Sequence, residues 1–150
     1  MSYIEDLFSL QGKVMFCTGG AGILMSAISE GLGKAGAKII LTDIAPLEER
    51  LEALKNKGIE AKGYYMDAMD KKSVEEVAKK VKEEFGGIDA LLNAAGGNMK
   101  DATTSPEVSF FDLPLEPLQK VVMLNLFGGA IIPSQVFARL MVESGREGNI

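Results

Sequence analysis

The residues with the clearest chemical potential form one glycine-rich stretch, Thr18-Gly19-Gly20-Ala21-Gly22. It follows a strand-like run over about 13–18 and precedes a helix-like pattern, so a strand, a tight turn and a helix N-terminus are predicted in succession. Glycines permit the turn and a close approach of backbone to ligand, while unpaired helix N–H groups point at negative charge. The stretch is therefore suited to holding a phosphate. Ile23 and Met25 stand where a fuller glycine loop has small residues.

Two aspartates follow later strand-like runs. Asp43 comes 21 residues after Gly22, the spacing at which an acid meets an adenosine ribose. A carboxylate there accepts hydrogen bonds from both ribose hydroxyls and repels a 2′-phosphate, which favours NAD over NADP. The alternative role for Asp43 is an Asx-type cap of the loop before Pro46. Asp67 is placed to accept from an adenine amino group, or to act as a turn carboxylate before Asp70.

Composition removes several classes of chemistry from this 150-residue chain. It has no histidine, which excludes Ser-His-Asp arrangements and most zinc sites, and we expect no metal. Its single cysteine excludes an internal disulfide and favours a cytoplasmic location. The net charge of −5 without a basic cluster predicts no nucleic-acid partner. No apolar stretch is expected to reach membrane-spanning length, so we predict no membrane partner.

The elements that must position these residues alternate along the chain. Strand-like runs cover about 13–18, 38–42, 60–66 and 88–93, and helix-like patterns lie between and after them, ending with a long one over about 115–143. This order predicts a Rossmann-like, doubly wound parallel α/β sheet, with four strands plus the start of a fifth at Asn149-Ile150. Ligands bind beyond the carboxyl ends of such strands, where the sequence places Thr18–Gly22, Asp43, Asp67 and Asn93–Gly97.

Three further features bear on this arrangement. A helix is predicted over about 22–35, with one face formed at helical spacing by Leu24, Ala27, Ile28, Gly31 and Ala35. Residues 94–112 have little periodicity, and loops of that length in compact domains are usually functional. Pro133 predicts a kink or a weakened turn in the long helix near Gly129.

Five segments together resemble the short-chain dehydrogenase/reductases: Thr18-Gly19-Gly20-Ala21-Gly22, Asp43, Asp67, Asn93-Ala94-Ala95-Gly96 and Asn125-Leu126-Phe127-Gly128. The match runs from about Leu10 to Ile150. Within the family, Phe110-Phe111-Asp112-Leu113 and Pro133–Phe137 resemble the D-mannonate oxidoreductase (fructuronate reductase) branch. Ile23-Leu24 also resembles that branch, whereas Met25 departs from the pattern of the family.

The resemblance implies an NAD-dependent oxidoreductase acting on a CH–OH group, with a sugar acid, D-mannonate or D-fructuronate, as the small-molecule substrate. It implies cofactor-binding roles for Thr18, Gly19, Gly20, Gly22, Ile23, Leu24, Asp43, Asp67, Ala68, Asn93, Ala94, Ala95 and Gly96. Asn125 is similar to the active-site asparagine of the family, a catalytic residue that fixes a water in the proton relay. The alternative for Asn125 is a buried helix asparagine bonded to neighbouring backbone.

The acid/base groups of the family have no counterpart in this sequence. The family uses a Tyr, a Lys four residues later and a Ser, whereas Leu7, Ala68 and Met69 lie four residues beyond the three tyrosines. We therefore expect 1–150 to be a single NAD-binding domain, C-terminally truncated relative to the family, that does not turn over alone. We also expect the parent protein to be a homo-oligomer and the uncovered edge of strand four to promote association.

Two other functions stay open. One is a non-catalytic dinucleotide-binding module. The other is an S-adenosylmethionine-dependent methyltransferase-like domain, which also places a glycine loop and two acids after three successive strands. Such domains usually carry an acid where this chain has Thr18, and a polar-Pro-Pro-aromatic segment where it has Asn93-Ala94-Ala95-Gly96. Both differences count against that class.

Overall fold

A four-stranded parallel sheet lies at the centre of the computed structural model, which describes residues 3–150. Its strands are β1 (Val14–Thr18), β2 (Lys38–Asp43), β3 (Ala61–Tyr65) and β4 (Ala90–Leu92). Their order across the sheet is β3-β2-β1-β4, and every neighbouring pair is parallel. The chain thus winds outwards from β1 in both directions, and the predicted Rossmann-like fold is confirmed.

Helices cover both faces of this sheet. They are α1 (Tyr3–Phe8), α2 (Ile23–Lys34), α3 (Glu48–Lys55), α4 (Lys71–Phe85), α5 (Leu115–Val122) and α6 (Ile132–Glu143). A π-helical segment, Met123–Ile131, joins α5 to α6, so the three form one long helix. Two short 3₁₀ turns, Lys100–Ala102 and Phe110–Asp112, lie in the loop between β4 and α5.

Alternate side chains of the strands feed two separate apolar cores. Phe16 and Ile40 point to the face covered by α4 and α6, where the ring of Phe16 lies 3.9 Å from that of Phe137 between centroids. Cys17 and Leu41 point to the other face, covered by α2 and α3. Both faces of β1 and β2 are therefore buried, which explains why these strands read as continuous apolar runs.

The helix α4 has a capping residue at each end. Its N-cap residue Asp70 accepts a 3.0 Å hydrogen bond from the Lys72 N–H at side-chain Oδ1. Gly86 ends it in the left-handed conformation with φ +72°. Capping chemistry alone fixes both boundaries of α4.

The apolar face proposed for the first helix is wrong. Leu24 and Ile28 are 79% and 44% exposed, whereas Met25 and Ser29 are buried against the sheet. Met25 packs in the core between this helix and the sheet, at 2% exposure. Met25 is therefore a core residue of the α2–sheet contact, and it accounts for the absence of a small residue at that position.

The C-terminal part of the chain differs from the sequence prediction in detail. β4 is shorter than the predicted run over 88–93, and its outer edge is partly paired. Asn149 forms a parallel bridge to Ala90, with the Leu91 N–H donating to the Asn149 carbonyl at 2.9 Å. The predicted start of a fifth strand is confirmed at this one position, and the edge of β4 is not fully open there.

The disturbance expected before Pro133 takes the form of π-helical turns. Pro133 lies at the start of α6, directly after the π-helical segment, where its missing N–H removes a normal helical hydrogen bond. Position 129, inside that segment, has room only for glycine, because a Cβ there would sit 2.5 Å from the Ala95 carbonyl oxygen. The segment can therefore press directly against the loop after β4.

The long helix also corrects the expectation about apolar length. Leu115–Glu143 has 29 residues and a mean hydropathy of 1.7, long and apolar enough by those two measures to cross a membrane. Its α6 part nevertheless packs on α4 and the sheet through Phe137, Leu140 and Met141. Core helices of globular domains meet the same two criteria, so the absence of a membrane partner stays a prediction.

Candidate functional site

A cleft of about 240 Å³ opens at the carboxyl ends of the strands. It brings together the glycine loop, the ends of β2 and β3, the loop after β4 and the long helix. The lining residues are Thr18, Gly19, Gly22, Thr42, Asp43, Ile44, Met66, Asp67, Ala68, Met69, Ala94, Ala95, Gly96 and Leu124. Most of the predicted cofactor-binding residues are among them. Met69 and Leu124 also line the cleft but were not predicted from the sequence. Both are apolar, and an apolar residue in a turn or helix is ordinarily interpreted as a packing residue.

The glycine loop is tightly enclosed by its neighbours. Gly19 has φ +66°, and a Cβ there would sit 2.5 Å from the Ala94 carbonyl oxygen. The Gly20 N–H donates to the Thr42 carbonyl at 2.9 Å, so Gly20 lies under the cleft and does not line it. These contacts require glycine at position 19, since a side chain would meet both backbone strain and a carbonyl group.

The first turn of α2 leaves backbone donors free. Gly22 is the N-cap and supplies no side-chain acceptor. Among residues 3–150, no acceptor bonds the N–H groups of Ile23, Leu24 or Met25. These are the donors to which a helix N-terminus binds an anion. The side chains of Ile23 and Leu24 lie outside the cleft and are 83% and 79% exposed.

Both aspartates lie on the cleft wall and hold turns. Asp43 accepts from the Ala21 N–H at Oδ2 (3.0 Å) and from the Ala45 N–H at Oδ1 (2.9 Å). The Asx-type cap is therefore present, and each carboxylate oxygen retains lone pairs for a further donor. Asp67 likewise accepts from the Met69 N–H at 2.9 Å. The ribose and adenine roles remain predictions that this geometry permits.

Thr18 joins the glycine loop to the loop after β4. Its fully buried hydroxyl oxygen accepts from the N–H groups of Ala94 (2.9 Å) and Ala95 (3.0 Å). The same hydroxyl donates weakly to the Leu92 carbonyl, at 3.5 Å. The sequence placed Thr18 in the phosphate loop, but spacing gives no sign of this tie between strands.

Asn93 and Asn125 lie behind the cleft. The Asn93 amide donates to the Ser134 hydroxyl at 3.1 Å. Asn125 sits in the π-helical segment and bonds the Gly97 backbone twice: its Oδ1 accepts from the N–H (3.1 Å) and its Nδ2 donates to the carbonyl (2.7 Å). Nδ2 also donates to the Val121 carbonyl at 2.8 Å. The alternative role is thus present, although Asn125 is exposed and not buried.

This network explains two features of the sequence around Asn125. A Cβ at Gly96 would lie 2.4 Å from Asn125 Oδ1, so glycine makes room for the amide. Both hydrogens of the Asn125 amide are bonded to backbone carbonyls, so a water could reach this side chain only as a donor to the remaining lone pair of Oδ1. The catalytic role of Asn125 stays a prediction.

Among the described residues, the cleft is lined by no Tyr, Lys or Cys side chain, and its two carboxylates are the aspartates that hold the turns. Burial raises the pKa of Cys17 to about 12, so its thiol stays protonated inside β1. The pKa of Tyr64 is also raised, first by burial and then by the nearby Glu84 carboxylate. An acid/base tyrosine needs the opposite shift. Within residues 3–150 no three His, Cys, Asp or Glu side chains are grouped as metal ligands.

Comparison with known proteins identifies the fold and its relatives. An uncharacterized oxidoreductase of Haemophilus influenzae is 31% identical over 152 residues, which cover 93% of this chain and 52% of that protein. The 5-keto-D-gluconate 5-reductase of Escherichia coli K12 is 31% identical over 142 residues, covering 93% and 53%. A crystal structure from Haemophilus influenza with bound NAD, provisionally assigned as a D-mannonate oxidoreductase, matches with a TM-score of 0.82 and 31% identity, covering 92% and 53%.

These relatives agree with the family and branch that the motifs resemble. The chain spans about half the length of the curated relatives it matches. A family model described as short chain dehydrogenase matches residues 13–150, almost the whole chain. The chain belongs to the short-chain dehydrogenase family.

Proposed function

We propose that residues 1–150 form the cofactor-binding part of an NAD-dependent oxidoreductase that acts on a sugar acid, with D-mannonate and D-fructuronate as the favoured pair. The observation that carries the cofactor proposal is the position of Asp43. Its carboxylate stands on the cleft wall and bonds the glycine loop through the Ala21 N–H. An acid at this place recognises a ribose diol and opposes a 2′-phosphate.

The rest of the cleft supplies the other cofactor contacts. The pyrophosphate lies against the free N–H groups of Ile23 and Leu24, where the helix dipole favours negative charge. Met69 and Leu124, which line the apolar part of the cleft, would hold the adenine, and Asp67 would accept from its amino group. The segment Asn93–Gly96 supports the nicotinamide ribose. The cofactor supplies hydride chemistry when bound, and these residues bind and orient it.

The substrate proposal has separate support. Two of the relatives support a sugar acid: one is named 5-keto-D-gluconate 5-reductase, and the crystal structure with bound NAD is provisionally assigned as a D-mannonate oxidoreductase. The branch resemblance of Ile23-Leu24 and Phe110–Leu113 favours D-mannonate. The sugar acid, the homo-oligomeric state of the parent protein and its cytoplasmic location are all part of this proposal.

We further propose that this chain binds the cofactor without turning it over. Hydride transfer to a carbonyl group needs a proton donor beside the carbonyl oxygen. No tyrosine of this chain is followed by Lys four residues later, and the pKa of Tyr64 is shifted upwards, away from the working range. The expected behaviour is NAD binding with no oxidation of NADH by fructuronate.

Isothermal titration calorimetry tests the cofactor assignment. We expect the wild-type chain to bind NAD more tightly than NADP, and Asp43→Ala to weaken NAD and reduce that preference. Asp101→Ala, an exposed acid outside the cleft, is the matched control and should change neither value. An unchanged NAD/NADP ratio in Asp43→Ala would refute the ribose role, because the charge that opposes a 2′-phosphate has been removed.

Two further measurements separate the competing functions. NADH consumption in the presence of fructuronate would contradict the proposal that the chain lacks turnover. Tight binding of S-adenosylmethionine in preference to NAD would replace the oxidoreductase assignment with the methyltransferase-like one. A melting temperature for each variant separates loss of binding from loss of fold, since Asp43 also supports two turns.

A further inference from the structure

The glycine loop is held from outside the cleft by a side chain of α3. The Nε–H of Arg50 donates to the Ala21 carbonyl at 3.3 Å. The N–H of Ala21 donates to Asp43 Oδ2 at 3.0 Å. Ala21 is thus bonded on both of its backbone groups, to β2 on one side and to α3 on the other. Within the part of the chain that the structure describes, no other residue of the loop is held by two side chains from different elements.

The contact from Arg50 and a second hydrogen bond, within the loop, together hold the peptide plane that follows Ala21. The peptide between Ala21 and Gly22 carries the carbonyl that Arg50 bonds and the N–H that donates to Gly19 at 3.0 Å. With that plane fixed, the next three N–H groups, from Ile23 to Met25, are the free donors at the start of α2. The following peptide, which carries the Ile23 N–H, is joined to this plane through the Gly22 Cα, so a displaced plane would also shift the first of these donors.

Arg50 is available for this role because it has no competing partner. Among the described residues it forms no ion pair, although Glu30 stands in the same groove between α2 and α3. Glu30 is paired instead with Lys34 at 2.6 Å and Lys57 at 2.5 Å. The half-buried Arg50 therefore directs its guanidinium to the loop carbonyl and to solvent.

We propose that Arg50 is a positioning residue for the pyrophosphate-binding loop, acting through its hydrogen bond to the Ala21 carbonyl. This proposal rests on the function proposed above, in which the loop binds the cofactor pyrophosphate. Arg50 does not touch the cofactor. It fixes the peptide that orients the donors of α2, so its loss weakens ligands with a pyrophosphate and leaves the adenosine contacts unchanged.

A matched pair of substitutions separates the hydrogen bond from the charge. Arg50→Gln places a neutral N–H donor at the position of Nε along the side chain, and Arg50→Met places a methyl group there. We expect Arg50→Met to weaken ADP-ribose by about 3–10-fold, the equivalent of one backbone hydrogen bond. Arg50→Gln should stay within about twofold of wild type, and adenosine binding, followed by NMR titration, should be unchanged in both.

The protein without ligand provides an independent measurement. Amide hydrogen exchange of Ala21 and Gly22 should be faster in Arg50→Met than in wild type, and Arg50→Gln should restore the protection. If Gln and Met behave alike in both measurements, the positioning role is wrong. If both variants bind ADP-ribose equally more weakly than wild type, Arg50 acts through its charge. If neither variant differs from wild type, Arg50 has no role in the loop.

These measurements also separate the two proposals. Failure of the wild-type chain to bind ADP-ribose would contradict the proposed function, while amide exchange would still decide whether Arg50 holds the peptide. Binding by wild type with identical affinity in Arg50→Met would leave the function intact and overturn the positioning role alone.

Discussion

Replacing Thr18 by valine should uncouple the glycine loop from the loop after β4. Valine has nearly the shape of threonine and keeps the packing of this fully buried position. It removes the hydroxyl oxygen that accepts from the Ala94 and Ala95 N–H groups at 2.9 and 3.0 Å. The perturbation is therefore confined to hydrogen bonding between two loops that line the cofactor cleft.

The magnitude follows from the number of bonds removed. Each backbone N–H that loses an intramolecular acceptor costs about 0.5–1.5 kcal/mol when water can partly replace it. Two such bonds give about 1–3 kcal/mol for Thr18→Val. The bond from the hydroxyl to Leu92, at 3.5 Å, adds little because of its length. This loss is a large fraction of the stability of a domain of this size.

Urea denaturation followed by circular dichroism measures the change in the free energy of unfolding. Thr18→Ser is the matched control: it keeps the acceptor and loses one methyl group, at a cost of about 1 kcal/mol. Amide exchange at Ala94 and Ala95 should accelerate in Thr18→Val and stay slow in Thr18→Ser. A Thr18→Val protein with wild-type stability and wild-type protection at both amides would refute the role given to this hydroxyl.

Two further predictions concern groups away from the cleft. Because burial raises the pKa of Cys17 to about 12, its thiol should resist alkylation by iodoacetamide at pH 8 in the native protein and react only in urea; labelling without urea would contradict its placement. Burial by itself raises the pKa of Asp89, but the Val14 N–H, the Arg146 charge and Lys13 together lower it below its ordinary 3.8. A lowered folded pKa contributes stability above the unfolded value, and this is lost as the pH falls through the folded pKa. Asp89→Asn should therefore melt at a lower temperature than wild type at pH 7, with a smaller difference near pH 2, and a constant difference would contradict this linkage.

The sheet and the position of the site could be predicted from the sequence because short-range signals determine them. Apolar runs of strand length alternate with helix periodicity. Asp70 marks one helix end by its side-chain acceptor, and Gly86 marks the other by its left-handed backbone conformation. Once the strands are known to be parallel, their carboxyl ends must meet at one edge of the sheet. Thr18, Asp43 and Gly96 therefore come together without any knowledge of side-chain contacts.

The misassigned features depend on geometry that spacing does not carry. The face of α2 that packs on the sheet depends on how the helix lies against the strands, and in the structure Met25 is buried and Leu24 is exposed. The role of Asn125 depends on the distance between the long helix and Gly97, which are 28 positions apart in sequence. The sequence pattern of α3 predicts that Arg50 is a solvent-exposed charge. Its contact with the glycine loop is visible only in the structure, where Nε lies 3.3 Å from the Ala21 carbonyl oxygen.

The loops of the cleft are held by side chains from other parts of the fold, and this affects the entropy cost of binding a cofactor. Thr18 bonds the loop after β4, Asp43 bonds the glycine loop, and Asn125 bonds Gly97 from the long helix. Each bond joins a loop to an element far away in sequence, so the cleft has its shape without a ligand. Little conformational entropy is then lost on binding, which favours affinity at a small contact area. The same connections predict that damage to one loop spreads: Thr18→Val should weaken ADP-ribose as well as the fold, although Thr18 forms its strongest bonds with protein backbone.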